Sequence, residues 1–264
     1  MMLAGCEVIK ENERLIPVPI AEDMRTHVLI EYTGFRCVNC PTAATMADDL
    51  HHLYGDRMVV VAMHPASNPF TQGAYDYTCP EADECYLYMG GTASTSFPTG
   101  NIDLSPSNDQ WFFEPVEWAT RLQAATQSSY APSLSVEATI DTLTRQIHCA
   151  VTTASHVIME ARLAIWFTED SIIGVQAMPN GSVNTNYCHR HMLRSAANGQ
   201  VFGKEVRLPA ESATFIVEDR LPDACEPKHC HAVALLLDKN DYHILQAYET
   251  KLDISSHAAA LRQR

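Results

Sequence analysis

The sequence predicts an α/β unit over residues 25–128, an all-β antiparallel sandwich over 129–264, and a tether over 1–24. Three observations carry this. An apolar, β-branched run at His27–Thr33 leads through Cys37-Val38-Asn39-Cys40 into a helical pattern and a second apolar run at Met58–Met63. Helical periodicity largely stops after Ser129. Short alternating runs separated by turn-rich joints take its place.

At 264 residues the chain can bury a core in each of two domains. Its 46% hydrophobic and 19% charged residues place it with ordinary globular proteins rather than disordered ones. A net charge of −14 without a basic stripe argues against nucleic acid and anionic lipid as electrostatic partners. No apolar run is long enough to predict a membrane-spanning helix. Nine cysteines suggest an oxidising compartment. Three pairs are close in sequence: 37/40, 79/85 and 225/230.

Leu3-Ala4-Gly5-Cys6 reads as a bacterial lipobox, in which small residues fit the peptidase cleft and the Cys6 thiol receives the lipid. The basic and longer apolar segment usual before such a box is not in the sequence, which reads as a trimmed leader or a late start codon. Residues 1–5 are set apart from the fold.

In the front half, His27-Val28-Leu29-Ile30-Glu31-Tyr32-Thr33 is read as a buried strand. Ala43, Ala44, Met46, Ala47, Leu50, Leu53 and Tyr54 then recur at helical spacing up to Gly55. Pro41 suits a first helical turn, where a missing N–H loses no partner. Met58–Met63 is a second strand. A dithiol thus lies at a helix amino end, where the free N–H groups and the dipole favour a thiolate at Cys37, with Arg36 adding to the effect. Two intervening residues let the pair close and reopen by exchange. The same spacing also suits a static bridge.

Here the sequence resembles thioredoxin-like proteins. That family carries a carboxylate six positions before its first cysteine, and Glu31 stands six before Cys37. It also carries a cis-proline opposite the dithiol, and Ser96-Phe97-Pro98-Thr99-Gly100-Asn101-Ile102 is similar to that element, with Pro98 in the role. Residues 111–127, with Val116, Ala119, Leu122 and Ala125, resemble the closing helix. Arg36 stands where a tryptophan is usual, and the segment from about 64 to 94 is additional. Its Cys79 and Cys85 suit a local structural bridge. The resemblance implies that Cys37 attacks, Cys40 resolves, Glu31 moves protons and Pro98 shapes a substrate groove.

In the back half, strands are expected around Leu134–Ala138, Ile147–Val151, Ala161–Phe167, Ile172–Val175, Thr214–Val217 and Val233–Leu237. The last is joined by the turn Asp238-Lys239-Asn240-Asp241 to Tyr242–Ala247. Six to eight such strands suggest a sandwich of the immunoglobulin-like kind. His189 and His191, like His229 and His231, are two apart and share a face if on strands, so each pair could present two imidazoles to one ion. Our expectation is that these are unrelated histidines and that no metal or cofactor is held. Cys225 and Cys230 suit a loop-closing disulfide.

The order of a lipobox, a CxxC domain and a β-sandwich resembles the outer membrane protein 28 family of Gram-negative bacteria. Phe167-Thr168-Glu169-Asp170 with Gln176, and Tyr187-Cys188-His189-Arg190-His191-Met192-Leu193-Arg194, are similar to that family's second domain. The resemblance implies a cell-envelope, outer-membrane lipoprotein, bound to lipid through an acylated cysteine. Two activities remain open: a thiol–disulfide oxidoreductase acting on a protein thiol or disulfide, and a binding or structural lipoprotein with an inert bridge.

Overall fold

The computed structural model describes residues 25–126 and 131–255, so the lipobox and Cys6 lie outside the described residues. The front half runs β1 (His27–Tyr32), α1 (Cys40–Tyr54), β2 (Met58–Met63), α2 (Pro80–Tyr88), β3 (Thr99–Ile102) and α3 (Pro115–Ala125). The back half starts with β4 (Ser133–Asp141), β5 (Gln146–Ala154), β6 (Met159–Glu169), β7 (Ile172–Ala177), β8 (Val183–His189) and β9 (Met192–Ala196). It ends with β10 (Lys204–Leu208), β11 (Ala213–Arg220), β12 (Cys230–Asp238), β13 (Ile244–Lys251) and β14 (Asp253–Ser255).

The fold is β-rich, with α-helices confined to the front half among the described residues. Its main feature is one eight-stranded mixed sheet, ordered β13-β12-β6-β9-β2-β1-β3, with β10 also on β6. β1 and β2 are parallel and β3 is antiparallel to β1. The two halves join at one parallel contact, Ala62 against Met192, where the Ala62 N–H donates to the His191 carbonyl at 2.8 Å. A four-stranded sheet, β11-β5-β4-β14, packs on the back half. The sandwich is therefore not self-contained, since one of its two sheets continues into the front half.

Both faces of the large sheet are covered, which explains the unbroken apolar run Val233–Leu237. Val233, Leu235 and Leu237 join Trp166, Leu193, Ile30, Tyr32 and the α2 residue Tyr86 in one core. Ala232, Ala234 and Leu236, with Ile165 and Phe167, turn the other way onto Val136, Ile140 and Cys149 of the small sheet. In the front half that second face is covered by α1 and α3, through Leu50, Tyr54, Trp118 and Leu122.

β7 and β8 belong to neither sheet. The run Ile172–Val175, expected as a sandwich strand, instead pairs with β8, which was not expected, in a separate two-stranded hairpin. The closing helix also turns a different face inward. Trp118 and Leu122 are buried while Val116 is 73% exposed.

Candidate functional site

Helix α1 begins at Cys40, with Asn39 as its cap and Pro41 in its first turn. Cys37 lies ahead of it, in a turn whose Cys37 N–H donates to the Gly34 carbonyl at 3.0 Å. The two cysteines form a disulfide with a Cα–Cα distance of 5.5 Å. Each is only 2% exposed. The Arg36 guanidinium donates to the Gln72 carbonyl at 3.3 Å.

The β7–β8 hairpin lies across this turn. Gln176 Nε2 donates to the Cys37 carbonyl at 2.8 Å, and the Ala177 N–H donates to the Phe35 carbonyl at 2.7 Å. The Val175 N–H donates to the Tyr77 hydroxyl at 3.1 Å. Gly174 is required for that approach, because a Cβ there would stand 2.0 Å from the Tyr77 oxygen.

The Phe97–Pro98 peptide is cis. Pro98 lines an open groove of about 570 Å³ together with Asn39, Thr42, Met46 and Phe112.

On the sheet face under α1 lies a second cavity, of about 230 Å³, lined by Glu31, Cys40, Asp48, His64, Gln176 and His189 among others. The local folding logic is simple. Glu31 on β1 is paired with Ala62 on β2, and His64 follows two residues beyond, so Glu31 and His64 face the same side. The β2–β9 junction delivers the chain from His189 to His191 to the cavity's mouth.

Glu31 is 3% exposed and its Oε1 has no hydrogen-bond partner. Burial raises its pKa to about 8, with Asp48 adding and His191 opposing. His64 is 2% exposed with both ring nitrogens unpartnered. Burial lowers it to about 3, with His189 and Arg194 contributing. Burial also lowers His189 to about 4, while its Nε2 lies 3.3 Å from the Val175 carbonyl. At neutral pH the cavity therefore presents a protonated carboxyl and two neutral imidazoles.

The rim is charged. Asp48 pairs with Arg190 at 2.8 Å and with His191 at 3.4 Å. Its hydrogen bond to His191 lowers its pKa. Asp170 approaches His191 at 3.7 Å and His231 at 3.8 Å. The two histidine segments of the sequence thus meet, through His191 and His231, on a shared carboxylate. Burial disfavours the charged form of His191, yet Asp48, Asp170 and Glu249 outweigh it and raise its pKa.

The remaining cysteines correct the expected bridges. Cys79 and Cys85 are free. Cys79 caps α2 and its Sγ donates to the Leu193 carbonyl at 3.6 Å, whereas Cys85 accepts the Tyr32 hydroxyl at 3.4 Å. Six residues of helix send the two sulfurs to different walls, and burial pushes both thiols to about 12. Cys225 and Cys230 are also free thiols rather than the expected disulfide, but they stand together, within 4.8 Å of each other and of Glu169. The Arg194 Nε lies 3.3 Å from Glu169 Oε2. A hydrogen bond from Cys230, with Arg194 alongside, lowers the Cys225 pKa.

Sequence reasoning marked Glu31, Cys37, Cys40 and Pro98 but missed His64 and the covering role of Gln176. His64 follows the run Met58–Met63 in the alternation that puts Glu31's partner strand face toward α1, and that was the available signal.

Residues 88–256 match the sequence profile of the family "Outer membrane protein Omp28", and the chain belongs to that family. Its address is accordingly the outer membrane. No curated protein matches the sequence. Among solved structures, HBP35 of Porphyromonas gingivalis is similar over 88% of this chain and 77% of its own, with TM-score 0.67 and 16% identity. An Agrobacterium tumefaciens protein is similar over 90% of this chain and all of its own (100%), with TM-score 0.54 and 14% identity. At such identities the likeness concerns the fold.

Proposed function

We propose that this chain is an outer-membrane lipoprotein, anchored through acylated Cys6, whose front half is a thioredoxin-like thiol–disulfide oxidoreductase facing the periplasm. The back half, in this reading, is an immunoglobulin-like sandwich that carries the hairpin over the dithiol. The strand–CxxC–helix–strand order, the antiparallel β3 that follows Pro98 and the closing α3 support the thioredoxin-like assignment.

One observation carries the activity: the partnerless carboxyl of Glu31 opens onto the same cavity as Cys40. Burying such a group costs stability, and a static bridge gains nothing from it. A carboxyl near pKa 8 can take the proton of a resolving thiol and return it. In the reduced protein the Cys37 thiolate attacks a disulfide of a protein substrate, breaking its S–S bond and forming a mixed disulfide. In the molecules whose Glu31 has released its own proton, the carboxylate then takes the Cys40 proton, and Cys40 sulfur displaces the substrate's second thiolate. The substrate ends reduced and Cys37–Cys40 ends oxidised. Pro98 borders the groove in which the substrate segment lies.

A second reading, an inert bridge beneath a binding surface, is favoured by the burial of Cys37 and its clamp by Gln176. Trapping separates the two. The Cys40→Ser variant should accumulate mixed disulfides with a model protein disulfide, and Cys37→Ser should abolish exchange. Slow alkylation of reduced Cys37 at every pH, with nothing trapped, would establish the inert bridge. Independently, Cys6→Ser should release the protein from membranes, and unchanged membrane retention would refute the anchor.

A further inference from the structure

We propose that Glu169, Cys225 and Cys230, where β6, the β11–β12 loop and β12 meet, hold one thiophilic divalent cation of the zinc class. The site lies in the back half and does not depend on the oxidoreductase reading of Cys37–Cys40.

The first observation is reach. The two sulfurs and a Glu169 carboxylate oxygen all lie within 4.8 Å of one another, and the thiols already share a hydrogen bond. Donors at zinc bond lengths around a tetrahedral ion stand roughly 3.3–3.8 Å apart, so side-chain rotation alone closes the set. Glu169 and Cys225 are each 4% exposed and Cys230 is fully buried. Two sulfurs with one carboxylate suit zinc, whereas calcium and magnesium take oxygen.

The second observation is how the chain brings the donors together. Cys230 and Glu169 are register partners across β12 and β6, so their side chains stand on one face. Cys225 is brought to that face by a braced loop, in which the Arg145 guanidinium donates to the carbonyls of Leu221 at 3.1 Å, Pro222 at 2.6 Å and Cys225 at 2.8 Å. The Glu226 N–H donates to Glu169 Oε1 at 2.7 Å. That bond fixes the carboxylate while Oε2, equally buried, makes no hydrogen bond.

The third observation is charge. Two thiolates and a carboxylate around a dication leave one negative charge in a buried place. The Arg194 guanidinium balances it, with its Nε 3.3 Å from Glu169 Oε2 and a hydrogen bond to Cys225. Three protein donors leave a fourth position for water. The other close set of the described residues, Asp238, Asp241 and His243, is already committed to its own turn. Asp238 accepts the Asn240 N–H, and Asp241 lies 2.6 Å from the His243 ring.

The experiment uses the full chain with Cys37→Ser and Cys40→Ser, which removes the other dithiol, reduced and kept free of oxygen. It is loaded with zinc or cobalt and dialysed. We expect about one equivalent retained, and a cobalt spectrum with a thiolate charge-transfer band. Cys225→Ser and Cys230→Ser should each lose that band. Glu169→Gln should weaken binding by about tenfold or more, since even groups one step removed from a metal have such effects. Cys188→Ser and His243→Ala should bind as the parent does. Should a ligand variant fail to fold, alkylation of the parent decides: bound zinc should protect Cys225 and Cys230, located by mass spectrometry. No retained metal, a band that survives Cys225→Ser, or protection of other cysteines instead would overturn the site. So would a Cys225–Cys230 disulfide in protein alkylated at the moment of isolation.

Discussion

Glu31 and His64 set how stability should depend on pH. The Glu31 carboxyl titrates near 8 in the folded chain against 4.5 unperturbed. Across that interval the folded state keeps a proton that the unfolded chain releases. Its stabilisation is therefore complete below about 4.5 and is lost as pH rises through 8. His64 runs the other way. Its folded value near 3 lies below 6.5, so the unfolded chain takes the proton first and stability falls as pH drops from 6.5. Together the two give a plateau between about 4.5 and 6.5 with a fall on either side. Glu249, raised by burial to about 7, and His189, lowered by burial to about 4, oppose each other across the same plateau and steepen the alkaline and acid falls respectively. Thermal melts should show the parent losing stability from pH 6.5 to 9, by a few kcal/mol in total. Glu31→Gln should remove most of that slope and leave the Glu249 share. An unchanged slope in the variant would mean that Glu31 is not buried as a neutral acid.

Among the elements, the β7–β8 hairpin decides whether the dithiol can be reached. It meets the cysteine turn through the Gln176 amide, the Ala177–Phe35 bond and the Gly174–Tyr77 approach. Gln176→Ala removes one of these and should speed reduction of Cys37–Cys40 by a small thiol several-fold. Gly174→Ala brings a methyl against the Tyr77 hydroxyl and should loosen the hairpin more. Adding Tyr77→Ala should restore part of the protection, and the rates follow from quenched-flow alkylation. If no variant changes the rate, the hairpin is not what covers the bridge. The sequence made the first strand of this hairpin legible but neither the second strand nor what they cover, because alternation reports a half-covered surface and not what covers it. The same limit explains α3. Val116, Ala119 and Leu122 fit a helical stripe, and Leu122 is buried, but Trp118 rather than Val116 fills the space against Gly100, where it lies 3.0 Å from an added Cβ. The strand–CxxC–helix order was readable because it depends on local spacing, whereas Glu31 and Pro98 were marked through the resemblance to thioredoxin-like proteins. The Cys79–Cys85 bridge was misread because spacing alone does not reveal the helix between them.

At the scale of the molecule, the two halves share more than a linker. Trp166, Leu193, Val233 and Leu235 of the back half pack in one core with Val28, Ile30, Val59 and Tyr86 of the front. The Ile244 N–H donates to the Asp103 carbonyl at 2.8 Å, and Gln246 Oε1 accepts the Thr26 N–H at 2.8 Å. β9 pairs with β2 at Ala62 alone, so the back half supports the front chiefly by covering the β1 and β2 faces toward this core. Cooperative unfolding of the whole chain follows, against the two transitions expected of separate domains. The three tryptophans make this measurable, since Trp111 and Trp118 lie in the front half and Trp166 in the back. Paired Trp→Phe variants leaving only Trp118 or only Trp166 should give coincident denaturant transitions. Leu235→Ala empties a fully buried back-half site in this shared core and keeps both tryptophans, and large-to-small changes of this kind cost about 2–5 kcal/mol. That loss should move both reporters together, including Trp118 on the far face of the front sheet. A shift of the back-half transition alone would show that the shared sheet joins the halves in space without coupling their stability. The isolated segment 25–128 would then fold by itself, and it should not if the common core is what sustains β1 and β2.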